Sequence, residues 1–321
     1  MTMVMLDGTT PSHGGPGRIR GSKRGSLARA AEIVTTALDI QAKDAYAADQ
    51  VGYMAKTMIW ASMPHSEVAG AHYTRNNGIA TISMLVNPEI GLPYGKIPRL
   101  IVAWVTREAK LTKSPKLLLG RSLSEFATKI GVGSNGGVRG GATRLKEQAT
   151  RLFSSVVSVT AHNGQDYRYK NVVLSDCGML LWNPGKPNER AHWESTVTLS
   201  EPFFLECIKS AVPFDLRVLH CLRSSLAIDL YLWLTWRAFT HQKSRRASTV
   251  IPWEALRLQL GVGYANSPQG MAHFRAEFRR CLRDVCTLYP QANVSADAKG
   301  LTLRKSPPHV PRLIKQSGAS A

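Results

Sequence analysis

The residues with the clearest chemical potential in this sequence are arginines spaced along one face of predicted amphipathic helices. In the later helix an apolar face is formed by Met271, Phe274, Phe278, Leu282 and Val285. At about 100° per residue, the opposite face carries Gln269, His273, Arg279, Arg280 and Arg283. Arg pairs bidentately with guanine, and Gln with adenine, in the major groove of DNA. This face is therefore predicted to contact the edges of base pairs.

An earlier helix has the same division into an apolar and a polar face. Its apolar residues are Leu145, Ala149, Leu152 and Val156, and the residues opposite them are Thr143, Arg144, Glu147 and Arg151. We assign Arg139, just before the helix, to the same surface. A recognition helix must bury one side and offer the other to base edges and phosphates. A solvated charged face is the alternative, but two matched helices in a basic chain favour DNA contact.

The charge balance indicates a polyanionic partner. The 321 residues include 41 Lys and Arg against 22 Asp and Glu, which gives a formal net charge of +19. Nucleic acid is the first candidate for this partner and an anionic membrane surface is the second. No apolar run reaches the roughly 18 residues of a membrane span, so we expect no membrane insertion. The five cysteines, an odd number, argue against a secreted disulfide framework and predict a cytoplasmic protein.

The elements that carry the two helices occur twice. Ile101–Ala109 lines up with Leu230–Ala238, and Phe126–Gly133 lines up with Leu256–Gly263. Each copy runs from a helix to a short helix and then to a longer amphipathic helix, followed by strand-like sequence. Three helices followed by a β-hairpin is the order of a winged helix, which is a helix-turn-helix variant. The predicted wings would place cations on DNA phosphates, and these cations are Arg168, Lys170, Lys299, Arg304 and Lys305.

The predicted fold class is α+β, with two tandem winged-helix domains and a disordered basic N-terminal arm. The arm covers residues 1–25, and a helix and a β-hairpin in residues 26–90 extend the first domain. The winged-helix domains cover residues 91–200 and 201–305, and residues 306–321 form a flexible tail. Within the extension, Asn76-Asn77-Gly78 predicts the turn of the hairpin.

Motifs for enzymatic chemistry are weak. The run Gly131–Gly136 has the spacing G-x-G-x-x-G, but it follows a helix instead of a strand, which predicts a turn instead of a dinucleotide site. Cys281 and Cys286 lack the second pair that a zinc site would need. The His residues include no His-x-His pair for a metal-dependent nicking enzyme. We therefore expect a protein that is not an enzyme and needs no cofactor or metal. A transcriptional repressor, and a nicking relaxase or transposase, stay open as alternatives.

Four blocks of the sequence resemble plasmid-encoded RepA replication initiators. These blocks are Ala61–His65, Gly91–Trp104, Leu119–Phe126 and Thr143–Phe153. The resemblance implies a protein that binds direct repeats, called iterons, in double-stranded DNA at a plasmid origin. It also implies opening of adjacent AT-rich DNA and recruitment of a host initiator and the replicative helicase. For some relatives it implies a homodimer that represses its own promoter.

Overall fold

The chain forms a mixed α+β structure, as predicted. The computed structural model describes residues 19–76, 80–133, 140–162, 166–242, 244–261 and 263–312. The first elements are α1 (Ile19–Ala42), β1 (Val51–Met54), α2 (Lys56–Trp60), β2 (His72–Asn76) and β3 (Thr81–Leu85). Strands β2 and β3 pair as an antiparallel hairpin at the predicted position. Residues 77–79 of its turn lie outside the described residues.

The first copy of the repeated unit contains an inserted hairpin. The copy consists of α3 (Lys96–Thr112), β4 (Lys116–Gly120), α4 (Leu123–Lys129), α5 (Gly141–Phe153), β5 (Val156–His162), β6 (Tyr167–Val173), β7 (Ser175–Met179) and β8 (Ser195–Leu199). One sheet has the strand order β4-β8-β7. The hairpin β5–β6 instead joins the earlier hairpin in a sheet with the order β2-β3-β5-β6.

The second copy has the same order of elements without the inserted hairpin. Three elements precede it, namely α6 (Glu201–Lys209), β9 (Val212–Asp215) and α7 (Leu216–Cys221). The copy consists of α8 (Ser225–Gln242), β10 (Ser248–Pro252), α9 (Trp253–Leu260), α10 (Pro268–Leu288), β11 (Val294–Ala296) and β12 (Gly300–Arg304). Its sheet has the order β10-β12-β11, so the last strand lies in the middle, as β8 does in the first copy.

The short helix α4 shows the role of the Gly-Val-Gly segment in the first copy. Ser122 caps the start of α4, where its hydroxyl accepts the backbone N–H of Glu125 at 3.1 Å. The helix ends at Lys129, and Gly131, just beyond it, has a φ of +71° that a residue with a side chain rarely adopts. The N–H groups of Gly131 and Val132 bond back to carbonyls of the last turn, which is the Schellman arrangement. Gly131 therefore ends a helix, as the turn interpretation predicts, and residues 134–136 lie outside the described residues.

A buried ion pair joins the first helices of the two copies. Arg99 of α3 is 1% exposed, and it donates to both carboxylate oxygens of Asp229 of α8, at 2.6 and 2.7 Å. Nε2 of His65 lies 2.9 Å from the same carboxylate, and the hydroxyl of Ser62 donates to it. Burial by itself would raise the pKa of Asp229, but the charge and hydrogen bonds of Arg99, helped by His65, hold that pKa well below its usual range. The two copies thus share one core, with a charged contact at its centre.

The last residues of the predicted N-terminal arm, residues 1–25, are helical in the structure. Helix α1 begins at Ile19, so residues 19–25 are helical, and residues 1–18 lie outside the described residues. Helix α1 packs against α7 and α10. Arg29 donates to the carbonyl of Cys221 at 2.8 Å, and Arg223 pairs with Glu32 at 2.6 Å. Helix α1 therefore packs on α10 of the second copy and on α7, which precedes that copy, whereas residues 26–90 were predicted to extend the first domain.

The predicted flexible tail begins with a segment that packs on the core. Val310 is 2% exposed and lies against Ala45 and Val51. The ring of His309 stacks on Tyr289 with 4.5 Å between the ring centroids, and its Nδ1 lies 2.8 Å from the hydroxyl of Tyr231. The tail prediction is wrong for residues 306–312, because these apolar and aromatic contacts outweigh the local Pro-rich composition. Residues 313–321 lie outside the described residues.

His309 should make the protein less stable as the pH falls from about 6.5 towards 4. Burial lowers the pKa of this imidazole to about 4, whereas an unfolded His has a pKa of about 6.5. Between these values the unfolded chain binds one more proton than the folded one, so acid favours unfolding. The full contribution is present above about pH 6.5. Urea unfolding at pH 7 and pH 4.5 should show a loss of about 2 to 3 kcal/mol from this group.

Two variants test this pH dependence. His309→Gln cannot take up a proton, so its unfolding free energy should vary less with pH than that of the wild type. His72→Gln removes an exposed imidazole and should leave the wild-type dependence in place. The same pH dependence in His309→Gln and in the wild type would contradict the assignment.

Candidate nucleic-acid interface

Helix α10 has one buried and one exposed face, as predicted. Phe274, Phe278 and Val285 are fully buried. The exposed residues along the opposite side include Gln269, His273, Arg280 and Arg283. Ser267 caps the start of the helix, where its hydroxyl accepts the N–H of Gly270 at 3.1 Å. The 21 residues of the helix, Pro268–Leu288, span about 30 Å. The exposed face is therefore long enough to lie along a DNA groove.

Two of the predicted arginines of α10 are held by neighbouring residues. Arg279 is half-buried, with its guanidinium 5.1 Å from the ring centroid of Trp253, and it donates to the carbonyl of Asp297 at 3.0 Å. Arg280 donates from Nε to Glu277 at 2.8 Å. The ion pair with Glu277 raises the pKa of Arg280, so this guanidinium stays charged. Arg279 thus links the helix to the following hairpin, and Arg283 is the exposed cation furthest along the helix.

The turn between β11 and β12 lies beside α10 and presents a further cation, Lys299. The carboxylate of Asp297 accepts the N–H groups of Gly300 at 3.1 Å and Lys299 at 2.7 Å, and these bonds lower its pKa. Lys299 is exposed in the turn, and Arg304 is exposed at the other end of β12, where it donates to Ser295 at 3.1 Å. Because Arg279 bonds to Asp297, this turn and α10 lie side by side. The structure thus places Lys299 next to the part of α10 that carries Arg279, whereas Arg304 lies at the opposite end of β12.

Helix α5 exposes fewer of the side chains that were predicted to contact DNA than helix α10 does. Arg144 is exposed and Thr143 is partly exposed, both in the first turn. The side chain of Arg151 is only 13% exposed and pairs with Glu147 at 2.5 Å and with Glu67 at 3.2 Å. Glu147 and Arg151 therefore help to fix α5 against the segment before α3. Arg139 lies outside the described residues.

Arg144 and Arg151 should respond differently to replacement by Ala. Arg151→Ala should lower the free energy of unfolding by about 1 to 2 kcal/mol, because it removes charge-assisted hydrogen bonds from a mostly buried side chain. Arg144→Ala should change stability by less than about 0.5 kcal/mol and should weaken DNA binding. Urea unfolding and a DNA-binding titration on both variants would measure this. Equal stability of the two variants would contradict the structural role of Arg151.

The predicted wing residues of the first copy belong to a different sheet. Arg168 and Lys170 lie on β6, which pairs with β5 and not with the strands of the β4-β8-β7 sheet. Lys170 forms an ion pair with Glu206 at 2.6 Å. The prediction assumed that the first two strands after α5 complete the unit of the first copy. Because the hairpin β5–β6 is inserted after α5, the strands β7 and β8 complete the unit of the first copy instead.

The sequence prediction missed the connection between β7 and β8, residues 180–194. This connection occupies the place that the β11–β12 turn has in the second copy, and it exposes Lys186, Arg190 and Trp193, the last at 75%. It is anchored where the carbonyl of Pro187 accepts the N–H of Ser124 at 3.0 Å. The turn residues at 183–185, Asn-Pro-Gly, between two strand-like segments were the sequence indication that could have located it.

Positive charge and hydrogen-bond donors are the chemical groups that these surfaces offer. Among the described residues, no three His, Cys, Asp or Glu side chains lie close enough together to hold a metal ion. In the same part of the chain, no helix is long and apolar enough to cross a membrane.

The fold and these surfaces define an α+β protein that repeats one unit of helices and strands and exposes a cationic helix and turn in the second copy. Residues 92–255, just over half of the chain, match the family described as plasmid-encoded RepA protein. The chain belongs to this family of plasmid replication initiators. The match covers the first copy and the second copy as far as α9, so α10 lies beyond it. The resemblance seen in the sequence is confirmed over this range.

Two further comparisons concern solved structures and curated proteins. The crystal structure of domains 2 and 3 of RctB superposes with a TM-score of 0.45 at 14% identity, over 71% of this chain and 85% of that chain. A search of curated proteins found no match.

Proposed function

We propose that this protein initiates plasmid replication by binding double-stranded DNA repeats at the origin through two tandem winged-helix domains. The observation that carries the proposal is the repeated order of helix, strand, helix, helix and strand pair. In both copies the final strand of the unit lies between the other two. This arrangement, in a member of the RepA family, supports a helix-turn-helix variant in which the third helix enters the major groove.

In this proposal the second copy makes the main sequence-specific contacts. The first turns of α10, with Gln269 and His273, would lie against base edges, because recognition helices contact bases through their N-terminal residues. Arg280, Arg283 and Lys299 would bind phosphates, which position the protein and add salt-dependent affinity. In the first copy, Arg144 at the start of α5 and the connection 180–194 would occupy the equivalent places.

The protein would act through binding energy and not through a covalent step. Bending a site of 20 to 30 base pairs costs about 1 to 6 kcal/mol, and several bound copies on adjacent repeats would supply this energy. Opening of the neighbouring AT-rich DNA would follow from that deformation. The partners in this scheme are duplex DNA, a host initiator and the replicative helicase, with a homodimer as a second assembly.

Footprinting on the DNA that flanks the gene, across a salt series, tests the proposal. Protection at regular spacing, with an affinity that falls steeply as salt increases, is the expected result. Protection of a single inverted repeat at the promoter would indicate a plain repressor. Uniform protection without sequence preference would contradict the assignment of recognition helices.

A further inference from the structure

We propose that a cavity between α3, the end of α4 and α7 docks an acidic segment of a partner protein, which inserts one large apolar or aromatic side chain. The cavity has a volume of about 250 Å³. Its floor is one face of α3, where Leu100, Ala103 and Trp104 have the spacing that brings side chains to the same side of a helix. The inference goes beyond the proposed function, because it concerns a protein partner and a cavity that α10 does not line.

The cavity is apolar and already formed. Ala103 is buried, and Trp104 is 9% exposed. The wall that α7 contributes includes the buried Leu219. The ammonium of Lys96 donates to the carbonyl of His220 at 2.8 Å, which ties α7 to the start of α3. Pockets for drug-sized ligands are larger, at about 300 to 1,000 Å³, so this cavity fits a single side chain.

The second copy covers the corresponding face with the protein's own chain. The alignment of the two copies pairs Ala103, Arg107 and Lys129 with Leu232, Trp236 and Gln259. Trp60 of α2 meets the ring of Trp236 with 5.3 Å between the ring centroids. Arg75 of β2 donates to the carbonyl of Gln259. The repeated unit therefore uses this face for docking, and in the first copy α7 covers it only in part.

The rim of the cavity is positively charged. Arg107 and Lys129 line it, and none of the described residues that line it is acidic. The ammonium of Lys129 lies 6.0 Å from the ring centroid of Trp104, beside the apolar floor. Arg107 pairs with Asp49 at 3.1 Å. Lys129 pairs with Glu125 at 3.6 Å, and the two acid side chains are 93% and 37% exposed. Exposed pairs contribute little to stability, so both cations can exchange these partners for the carboxylates of a ligand.

The apolar floor and the charged rim together define the chemistry of the partner segment. They match a side chain such as Phe or Leu that is flanked by Asp and Glu. One buried anchor of this kind supplies much of the affinity of a protein interface, and the surrounding charges add specificity and speed of association. Duplex DNA offers phosphates to the rim, but it has no protruding group that would fill the cavity.

Two peptides test whether the cavity takes an apolar anchor. The probe is a fluorescent decapeptide of Asp and Glu residues with one central Phe, and the reference peptide has Ala in place of the Phe. The two peptides carry the same charge, so the general attraction to a chain with a net charge of +19 affects both equally. In anisotropy titrations the Phe peptide should bind at least about tenfold more tightly than the Ala peptide.

Filling the cavity should abolish the preference for the Phe peptide. Ala103→Leu introduces the side chain that the second copy has at the corresponding position, where Leu232 is 4% exposed. This variant should bind the Phe peptide within about twofold of the Ala peptide. Ala28→Leu is the same change at an exposed position of α1 and should keep the wild-type preference. Helical content by circular dichroism and binding of duplex DNA should be unchanged in both variants.

The charged rim is tested at Lys129. Lys129→Gln introduces the residue that the second copy has at this position, and it should weaken the binding of both peptides several-fold by a similar factor. Lys305→Gln removes an exposed cation of the second copy as the matched control. It should leave both affinities within about twofold of the wild type.

Photo-crosslinking locates the bound side chain without a substitution in the protein. A peptide with photoleucine, a diazirine analogue of Leu, in place of the Phe should attach to the wild-type protein at α3, α7 or the end of α4. Mass spectrometry of the digested product identifies the attachment site, and an excess of the Phe peptide should suppress the reaction.

The outcomes separate this inference from the proposed function. The inference is overturned if the wild type binds the two peptides alike, if Ala103→Leu keeps the wild-type preference, or if the crosslinks lie outside α3, α4 and α7. Free N-acetylphenylalanine that binds as tightly as the Phe peptide would identify a small aromatic acid as the ligand and overturn the assignment of a protein partner. A wild type that prefers the Phe peptide but does not bind DNA repeats would contradict the proposed function and support the cavity assignment.

Discussion

Replacement of Arg99 by Met should lower the free energy of unfolding by about 3 to 5 kcal/mol, because it removes one partner of a buried ion pair. The Asp229 carboxylate is 8% exposed and would keep only His65 and Ser62 as partners. Three backbone carbonyls that accept hydrogen bonds from Arg99, at 2.5, 2.6 and 3.3 Å, would also lose their donor. Urea unfolding at pH 7, followed by circular dichroism, measures the loss.

A second variant separates lost pairing from lost packing. Arg99→Met/Asp229→Leu removes both charges, and it should recover a substantial part of the stability that the single variant loses. Lys186→Met, which breaks the exposed pair with Glu189, should cost less than about 1 kcal/mol. If Arg99→Met lowers the free energy of unfolding as little as Lys186→Met does, the buried pair does not hold the two copies together.

Replacement of Gln269 by Ala should lower affinity for the preferred repeat by about tenfold to a hundredfold, which corresponds to the 1 to 3 kcal/mol of a bidentate base contact. The residue is exposed in the first turn of α10, where a recognition helix meets base edges. The variant should also lose discrimination at one base pair of the repeat. Titrations on the repeat and on its single-base variants would measure both effects.

Arg283→Ala is the matched comparison for a phosphate contact. It should weaken binding by a similar factor on all sequences and reduce the salt slope by about 0.9. Both residues are exposed, so both variants should keep wild-type stability within about 0.5 kcal/mol. A uniform loss on every sequence for Gln269→Ala would show that this residue does not contact bases. Wild-type affinity in both variants would remove α10 from the interface.

The buried ion pair also bears on how the two candidate recognition helices are placed. Helix α5 packs on α3, and α10 packs on α8. Arg99 and Asp229 join α3 to α8 through the core. Core packing, and not a flexible linker, therefore sets the separation of the two helices that are proposed to contact DNA.

Features that repeat along one helix could be predicted from the sequence. The buried and exposed faces of α10 follow from the spacing of Phe274, Phe278 and Val285, since the period of 3.6 residues is a local property of the backbone. The helix end at Gly131 is also local, because it depends on the backbone freedom of one glycine. Family membership followed from blocks of contiguous residues in the same way.

Contacts between distant segments were decided only by the tertiary structure. The sequence predicted strands after α5, but it could not show that β5–β6 would join β2–β3 and leave the sheet of the first copy to β7 and β8. Nor could the sequence show that Arg151 forms ion pairs with Glu67 and Glu147, or that His309 stacks on Tyr289. Strand pairing, ion pairing and burial depend on which surfaces meet after the chain has folded. Local periodicity determines which face of a helix is polar, and the tertiary structure determines which of its charges remain exposed and unpaired, as Arg283 is exposed and Arg151 is not.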